Sequence, residues 1–185
     1  MEQLRLKGEY TFNITYNRMF DTYKASFHHH NLITDKGLEF LISKWAEDYK
    51  TENHKRTRYN ISKIIVGSNP EDPKPEDTIN TFTTVETGQN PFNINVYSDG
   101  TSLKMSTNNL SGRTLNGTTE IGVIGELLEE ELDESTGEPV NRKLMDTILI
   151  SRDTHPVITV PLTCIISLEY IYTLTSINID ECEEE

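Results

Sequence analysis

The run His28-His29-His30 is the plainest candidate for metal chemistry in this chain. On a strand alternate residues share a face, so His28 and His30 can chelate together while His29 points away. A closed site still needs a third or fourth ligand and ordered partners behind it. His54 and His155 are the remaining histidines, and nothing in their spacing brings them near. The run therefore reads as a polar strand end or an interface patch, with no metal assigned. The acids between residues 126 and 140 could wrap calcium, but they lack the alternating Asp/Asn ligands, central Gly and closing Glu of an EF-hand loop. Residues 126–140 read as a solvated acidic insertion.

Covalent chemistry has little to work with. Cys164 lies in an apolar run without an identifiable base, and Cys182 sits between Glu181 and Glu183, whose charge disfavours its thiolate. Two cysteines make no disulfide framework. There is no Gly-x-Ser-x-Gly elbow and no glycine-rich phosphate cradle. The expectation is a chain that is not an enzyme, with no catalytic residue, cofactor or metal.

The net charge of −13 over 185 residues is mostly local. Glu126, Glu129, Glu130, Glu131, Asp133, Glu134 and Glu138 supply seven acids, and Asp180, Glu181, Glu183, Glu184 and Glu185 supply five. Taking these twelve from thirty acids leaves eighteen against seventeen bases, so the rest is nearly neutral. Acid concentrated in one insertion and one tail repels nucleic acid and anionic membranes. The short basic run Lys55-Arg56-Thr57-Arg58 reads as part of a solvated linker, too small for a duplex-binding face. No apolar run approaches the roughly 20 residues that span a bilayer. The opening residues carry no apolar core with a cleavage site, so no signal peptide is expected.

These side chains must be positioned by an organisation that is mostly β. Tyr10, Phe12, Ile14 and Tyr16 alternate with polar residues, and residues 23–27 form a second extended stretch. The period then changes. Leu38, Leu41, Ile42, Trp45 and Tyr49 fall on one helical face, capped by Thr34 or Asp35. Gly37 in the first turn costs about 1 kcal/mol against Ala, which suggests that another backbone passes close by. Residues 50–60 read as a surface loop, 61–67 as a strand, and 68–78, with Pro70, Pro73 and Pro75, as a stiff extended loop. Residues 81–87 read as a strand. Ser98-Asp99-Gly100 between alternating runs marks a hairpin. Residues 108–118 are turn-rich, and 120–125, 144–151, 157–160 and 163–174 complete the strands, the last resembling a central one. The fold expected is an antiparallel β-sandwich carrying one amphipathic α-helix. It is read as one domain over 1–179, with an N-terminal extended arm (1–17) and an acidic tail (180–185).

Two segments resemble structural proteins of tailed bacteriophages, in particular the N-terminal module of tail-fibre and tail-collar proteins. The first is Asn31-Leu32-Ile33-Thr34-Asp35-Lys36-Gly37-Leu38 with its helix, then Ile61-Ser62-Lys63-Ile64-Ile65-Val66-Gly67, the Pro-rich loop and Asp77-Thr78. The second is Glu120-Ile121-Gly122-Val123-Ile124-Gly125, Leu149-Ile150-Ser151-Arg152, residues 155–161 and the closing aliphatic run 165–174. Together they cover somewhat over half the chain. The acidic insertion separates elements that the family joins more tightly, and no fibrous extension follows Leu174. The resemblance implies an attachment or adaptor subunit of a virion, at the tail, fibre base or neck. It would assemble symmetrically with copies of itself and with other virion proteins, away from nucleic acid and membrane. The arm 1–17 and the loop 68–78 are the expected contact segments. The alternative is a host-surface carbohydrate-binding module using Trp45, Tyr59 or Tyr97 as aromatic platforms.

Overall fold

The computed structural model describes residues 2–18, 21–45, 51–52, 54–83, 90–98 and 101–178. In chain order the elements are β1 (Glu2–Arg18), β2 (Asp21–Ile33), α1 (Asp35–Trp45), β3 (Thr51–Glu52), β4 (Lys55–Gly67), a 3-10 turn (Ile79–Thr81), β5 (Phe92–Asn93) and β6 (Asn95–Ser98). They continue with β7 (Ser102–Ser111), α2 (Gly112–Leu115), β8 (Glu120–Leu132), β9 (Pro139–Thr154) and β10 (Ile165–Asn178). All pairings are antiparallel, in the order β3-β4-β8-β9-β2-β1-β10-β7-β6, with β5 on β4.

The chain is mainly β, as the alternation implies, and two antiparallel layers wrap into a near-barrel. At each seam one stretch of chain passes from layer to layer. Strand β2 pairs with β1 and then, through Leu32 and Ile33, with Ser151 and Arg152 of β9. On the opposite side β5 pairs with β4, and two residues later β6 pairs with β7. One core fills the interior, built from Ile64, Val66, Met105, Ile121, Val123, Ile150, Ile166, Leu168 and three buried tyrosines. The closing aliphatic run is a central strand, flanked by β1 and β7.

Helix α1 sits on β9. Thr34 caps it: its Oγ1 accepts the Gly37 amide at 3.0 Å and donates to Leu149 O. A Cβ on Gly37 would lie 2.0 Å from the Ile150 carbonyl oxygen, so the close backbone expected from this glycine is strand β9. That contact also sets the helix rotation. Gly37, Phe40 and Leu41 are buried, whereas Leu38 and Ile42, placed on the inner face by periodicity, are 42% and 58% exposed. The glycine seats the helix on the strand and turns Phe40 toward Gly125 of β8. Tyr49 lies outside the described residues.

Long-range pairing revises four segments. Of the expected N-terminal extended arm, residues 2–17 belong to the sheet, because β1 pairs with β10 from Glu2 to Thr15 and with β2 from Gly8 to Arg18. Residues 55–60 are not a surface loop, since Lys55–Gly67 is one strand opposite β8. The acidic stretch is not an insertion loop but the two arms of the β8–β9 hairpin, turning at residues 133–138. Residues 157–160 form no strand. Pro156 and Pro161 bracket them, and Ile158 is held to Gly117 and Thr118 by backbone bonds of 2.8 and 3.1 Å. In the expected strand 81–87, Thr81 closes a 3-10 turn, Phe82 and Thr83 form no strand, and the rest lies outside the described residues. The hairpin around residues 98–100 holds as the β6–β7 pair, although 99–100 are themselves undescribed.

Candidate functional site

Among the described residues, three charged or polar centres and a groove bring side chains together. The first is Glu130. Its carboxylate is fully buried and takes Arg56 through Nε at 3.0 Å, Arg58 through Nη1 at 3.1 Å and Arg142 through Nε at 2.9 Å. Strand register produces this cluster, since Arg56 and Arg142 stand directly opposite Glu130 on β4 and β9. The basic run 55–58 and the acidic run 126–131 are thus partners, with Lys55–Glu129 and Lys63–Glu126 ion pairs, both 3.0 Å, beside them. Burial pushes the Glu130 carboxyl up, but the hydrogen bonds and charges of Arg56 and Arg58 outweigh it and hold it below the usual glutamate value.

A carboxyl held low in the folded state stabilises it above the unfolded pKa, and that contribution disappears as pH falls through the folded value. Acidification should therefore loosen the β4–β8–β9 ladder. The variant Glu130→Gln should lose about 2 kcal/mol at neutral pH and flatten the acid limb of the stability profile, as charge-assisted bonds of this kind contribute. Urea denaturation at neutral and acid pH checks both. An unchanged acid limb would assign the lability elsewhere.

The second centre is Arg152, 1% exposed. Its Nε donates to Glu120 Oε2 and its Nη1 to Asp77 Oδ2, each at 2.9 Å, and its guanidinium carbon lies 5.7 Å from the centre of the Phe82 ring. The other Glu120 oxygen accepts the amides of Asn69 and Thr83 at 2.9 and 3.0 Å. The Pro-rich loop is consequently tied down at both ends by buried charge, while its middle, around Pro70 and Pro75, stays exposed. The proline spacing showed the stiffness of the loop, but its anchor on a distant arginine had no local signal.

The third centre lies between the layers. The Tyr10 hydroxyl donates to Asp153 at 2.8 Å, Ser151 Oγ bonds the hydroxyls of Tyr170 (2.8 Å) and Tyr172, and Asn31 Nδ2 donates to Tyr170. The Tyr10 and Tyr170 rings stack at 5.5 Å. Burial, above all, raises the pKa values of all three phenols, so they remain neutral hydrogen-bonding groups. Tyr170 and Tyr172 are fully buried, and the cluster joins the two sheets.

The groove lies at the open seam between β4 and β6. It is an open groove of about 780 Å³. Arg58, Asn60 and Lys63 of β4 form one wall, Asn95 and Val96 of β6 the other, and Lys44 of α1 overhangs it. Lys44 Nζ donates to the Tyr59 carbonyl oxygen at 3.1 Å and, among the described residues, has no carboxylate partner. Burial and then the charge of Arg58 lower its pKa.

The sequence candidates do not come together. His30 is exposed with Nδ1 3.3 Å from Glu9, His54 lies 3.8 Å from Glu134, and His155 Nδ1 is 2.9 Å from Pro156 O. The backbone of His28 stands opposite Thr11 and that of His29 opposite Tyr10. Among the described residues no three His, Cys, Asp or Glu side chains are placed to hold a metal. Asp133 in the acidic turn uses its carboxylate on Ser135 and Thr136, whose hydrogen bonds push its pKa down to about 2. Cys164 is a buried free thiol with a raised pKa, and Cys182 lies outside the described residues. Of the aromatic platforms, Tyr59 packs edge-to-face on Phe40 at 5.3 Å, Trp45 is packed against the core, and Tyr97 is 66% exposed. No helix among the described residues is long and apolar enough to cross a membrane. Compared with protein-family models, curated proteins and solved structures, the chain matches none.

Proposed function

We propose that the chain is a non-catalytic structural subunit of a tailed-bacteriophage virion, acting by docking onto copies of itself and onto other virion proteins. The observation that carries the docking part is the outer side of β9. Beyond Ser151 and Arg152, no described strand pairs with that side, and the strand's outer half exposes Val140, Leu144 and Met145 at 63%, 53% and 52%. An unpaired strand edge is a template for another chain, and the charges Arg142, Lys143 and Asp146 interleaved with these apolar side chains narrow the choice of partner to one of complementary charge. The virion part rests on the ordered sequence resemblance. The buried ion and tyrosine centres support the same reading, because their polar groups are consumed in holding strands together.

The paired variant Leu144→Lys/Met145→Lys tests this reading. Both side chains are exposed, so folding stability should change by less than about 0.5 kcal/mol. Incorporation into gradient-purified particles, measured by mass spectrometry, should fall severalfold. A folded variant incorporated at the native level would overturn the β9 docking edge.

A further inference from the structure

The free edge of β9 is bounded at both ends, bulged in the middle and charged, and these features select what can pair with it. Thr34 closes one end: its amide donates to Ile150 O at 3.0 Å and its Oγ1 donates to Leu149 O. Pro139, with no N–H to give to a ladder, closes the other. Between them no described strand pairs with the outer side of residues 140–148, and residues 140–146 are all exposed. Against β8, Leu144 stands opposite Leu128 and Asp146 opposite Leu127, so Met145 is the extra residue of a bulge. A bulge on a free edge throws an ordinary strand out of register beyond it.

Two charges on this edge are left over by the fold. Lys143 stands opposite Glu129, whose carboxylate is already held by Lys55 at 3.0 Å. Asp146 stands opposite Leu127, and its Oδ1 accepts the neighbouring Thr147 amide at 2.8 Å. Among the described residues, Lys143 has no carboxylate within ion-pair distance and Asp146 has no cation. Their β8 partners, Glu129 and Leu127, are two residues apart, so Lys143 and Asp146 share one face of the sheet. Leu144, opposite Leu128, lies on the other face. One cation and one anion thus flank the bulge on the same side, a pattern that is its own complement when reversed.

We propose that this edge pairs with the same edge of a second copy, antiparallel, about a two-fold axis at Leu144. The inference rests on the docking of β9 proposed above and names what docks there. With Leu144 opposite its own counterpart and Met145 bulged in each strand, Lys143 of one copy stands opposite Asp146 of the other, twice, on a shared face. The bulge that misaligns an ordinary strand is accommodated here, because symmetry places one on each side of the axis. On the opposite face the cross-strand pair Leu128–Leu144 of one copy continues into the same pair of the other, joining their apolar surface. Other arrangements fail on charge. An axis at Arg142, Lys143 or Asp146 sets like charges against each other, and so does parallel pairing in register. A ladder confined to residues 142–147 is small for a permanent interface, so the dimer should dissociate on dilution.

Sedimentation velocity on the full chain should show a reversible dimer. Lys143→Glu and Asp146→Lys, each alone, should weaken it about tenfold, because either one turns both cross-strand ion pairs into like-charge contacts. Mixed together, the two variants should associate as tightly as the native chain, since every facing pair is again opposite in sign. A merely structural role for either side chain would not produce that recovery. Both side chains are exposed, and circular dichroism checks that the variants are folded. Native-strength dimers of either variant alone, or a mixture no tighter than its components, overturn the proposed register. A full chain that stays monomeric at its highest soluble concentration overturns the dimer itself. If Leu144→Lys/Met145→Lys is still excluded from particles in those cases, β9 docks on a different virion protein and the assembly reading stands without this pairing.

Discussion

Replacing Arg152 with methionine is expected to cost about 3–5 kcal/mol of folding stability, the loss typical of a buried charge network stripped of one partner. Methionine fills much of the volume, so the effect separates charge from packing. Without the guanidinium, Glu120 keeps two backbone amides but faces the core with uncompensated charge, and Asp77, nearly buried, loses its cation partner. Both ends of the loop 69–83 depend on this centre, so hydrogen exchange at Asn69 and Thr83 should speed up along with the global loss. Urea denaturation gives the magnitude. A loss below about 1 kcal/mol would mean that the ion centre is interchangeable with apolar packing, as some buried pairs are.

The variant Gly37→Ala is expected to destabilise by about 1–3 kcal/mol, because two arguments oppose each other and the steric one is larger. Helix propensity alone favours alanine by about 1 kcal/mol. The new methyl, however, would stand 2.0 Å from a backbone carbonyl oxygen of Ile150, an atom that no side-chain rotation can move. The helix must lift from β9, which strains the 3.0 Å bond from the Thr34 amide to the same oxygen and unseats Phe40. Thermal unfolding checks the sign. A stabilised Gly37→Ala would show that α1 rides further from the sheet than the structure places it.

Much of the β architecture was legible because alternation is local. The runs at Tyr10–Tyr16, 92–98 and 165–174 carry their alternation in adjacent residues, and each contributes to a paired strand. Gly37 was legible too, since a glycine in the first turn of a helix has a local cost that calls for a spatial reason. The Glu130 centre was not. Its arginines lie seventy-four, seventy-two and twelve residues away, and only the β4–β8–β9 register brings them to one carboxylate. Read separately, the basic run looked like a linker and the acidic run like a loop. Opposite charges of matching length were the available signal, because cross-strand pairing of such runs is favourable. Helix rotation failed for a related reason. Leu38 and Ile42 satisfy the helical period as well as Phe40 does, and only the glycine contact with β9 decides between those faces. The groove at the seam is a property of closure, which no window of sequence contains.

Cryo-electron microscopy of the parent particle tests the central claim most directly. The account predicts density for this near-barrel at a symmetry-related position, with the outer edge of β9 packed against a neighbouring protein. Purified particles lacking the chain, or a map in which the β9 edge faces only solvent, would contradict it.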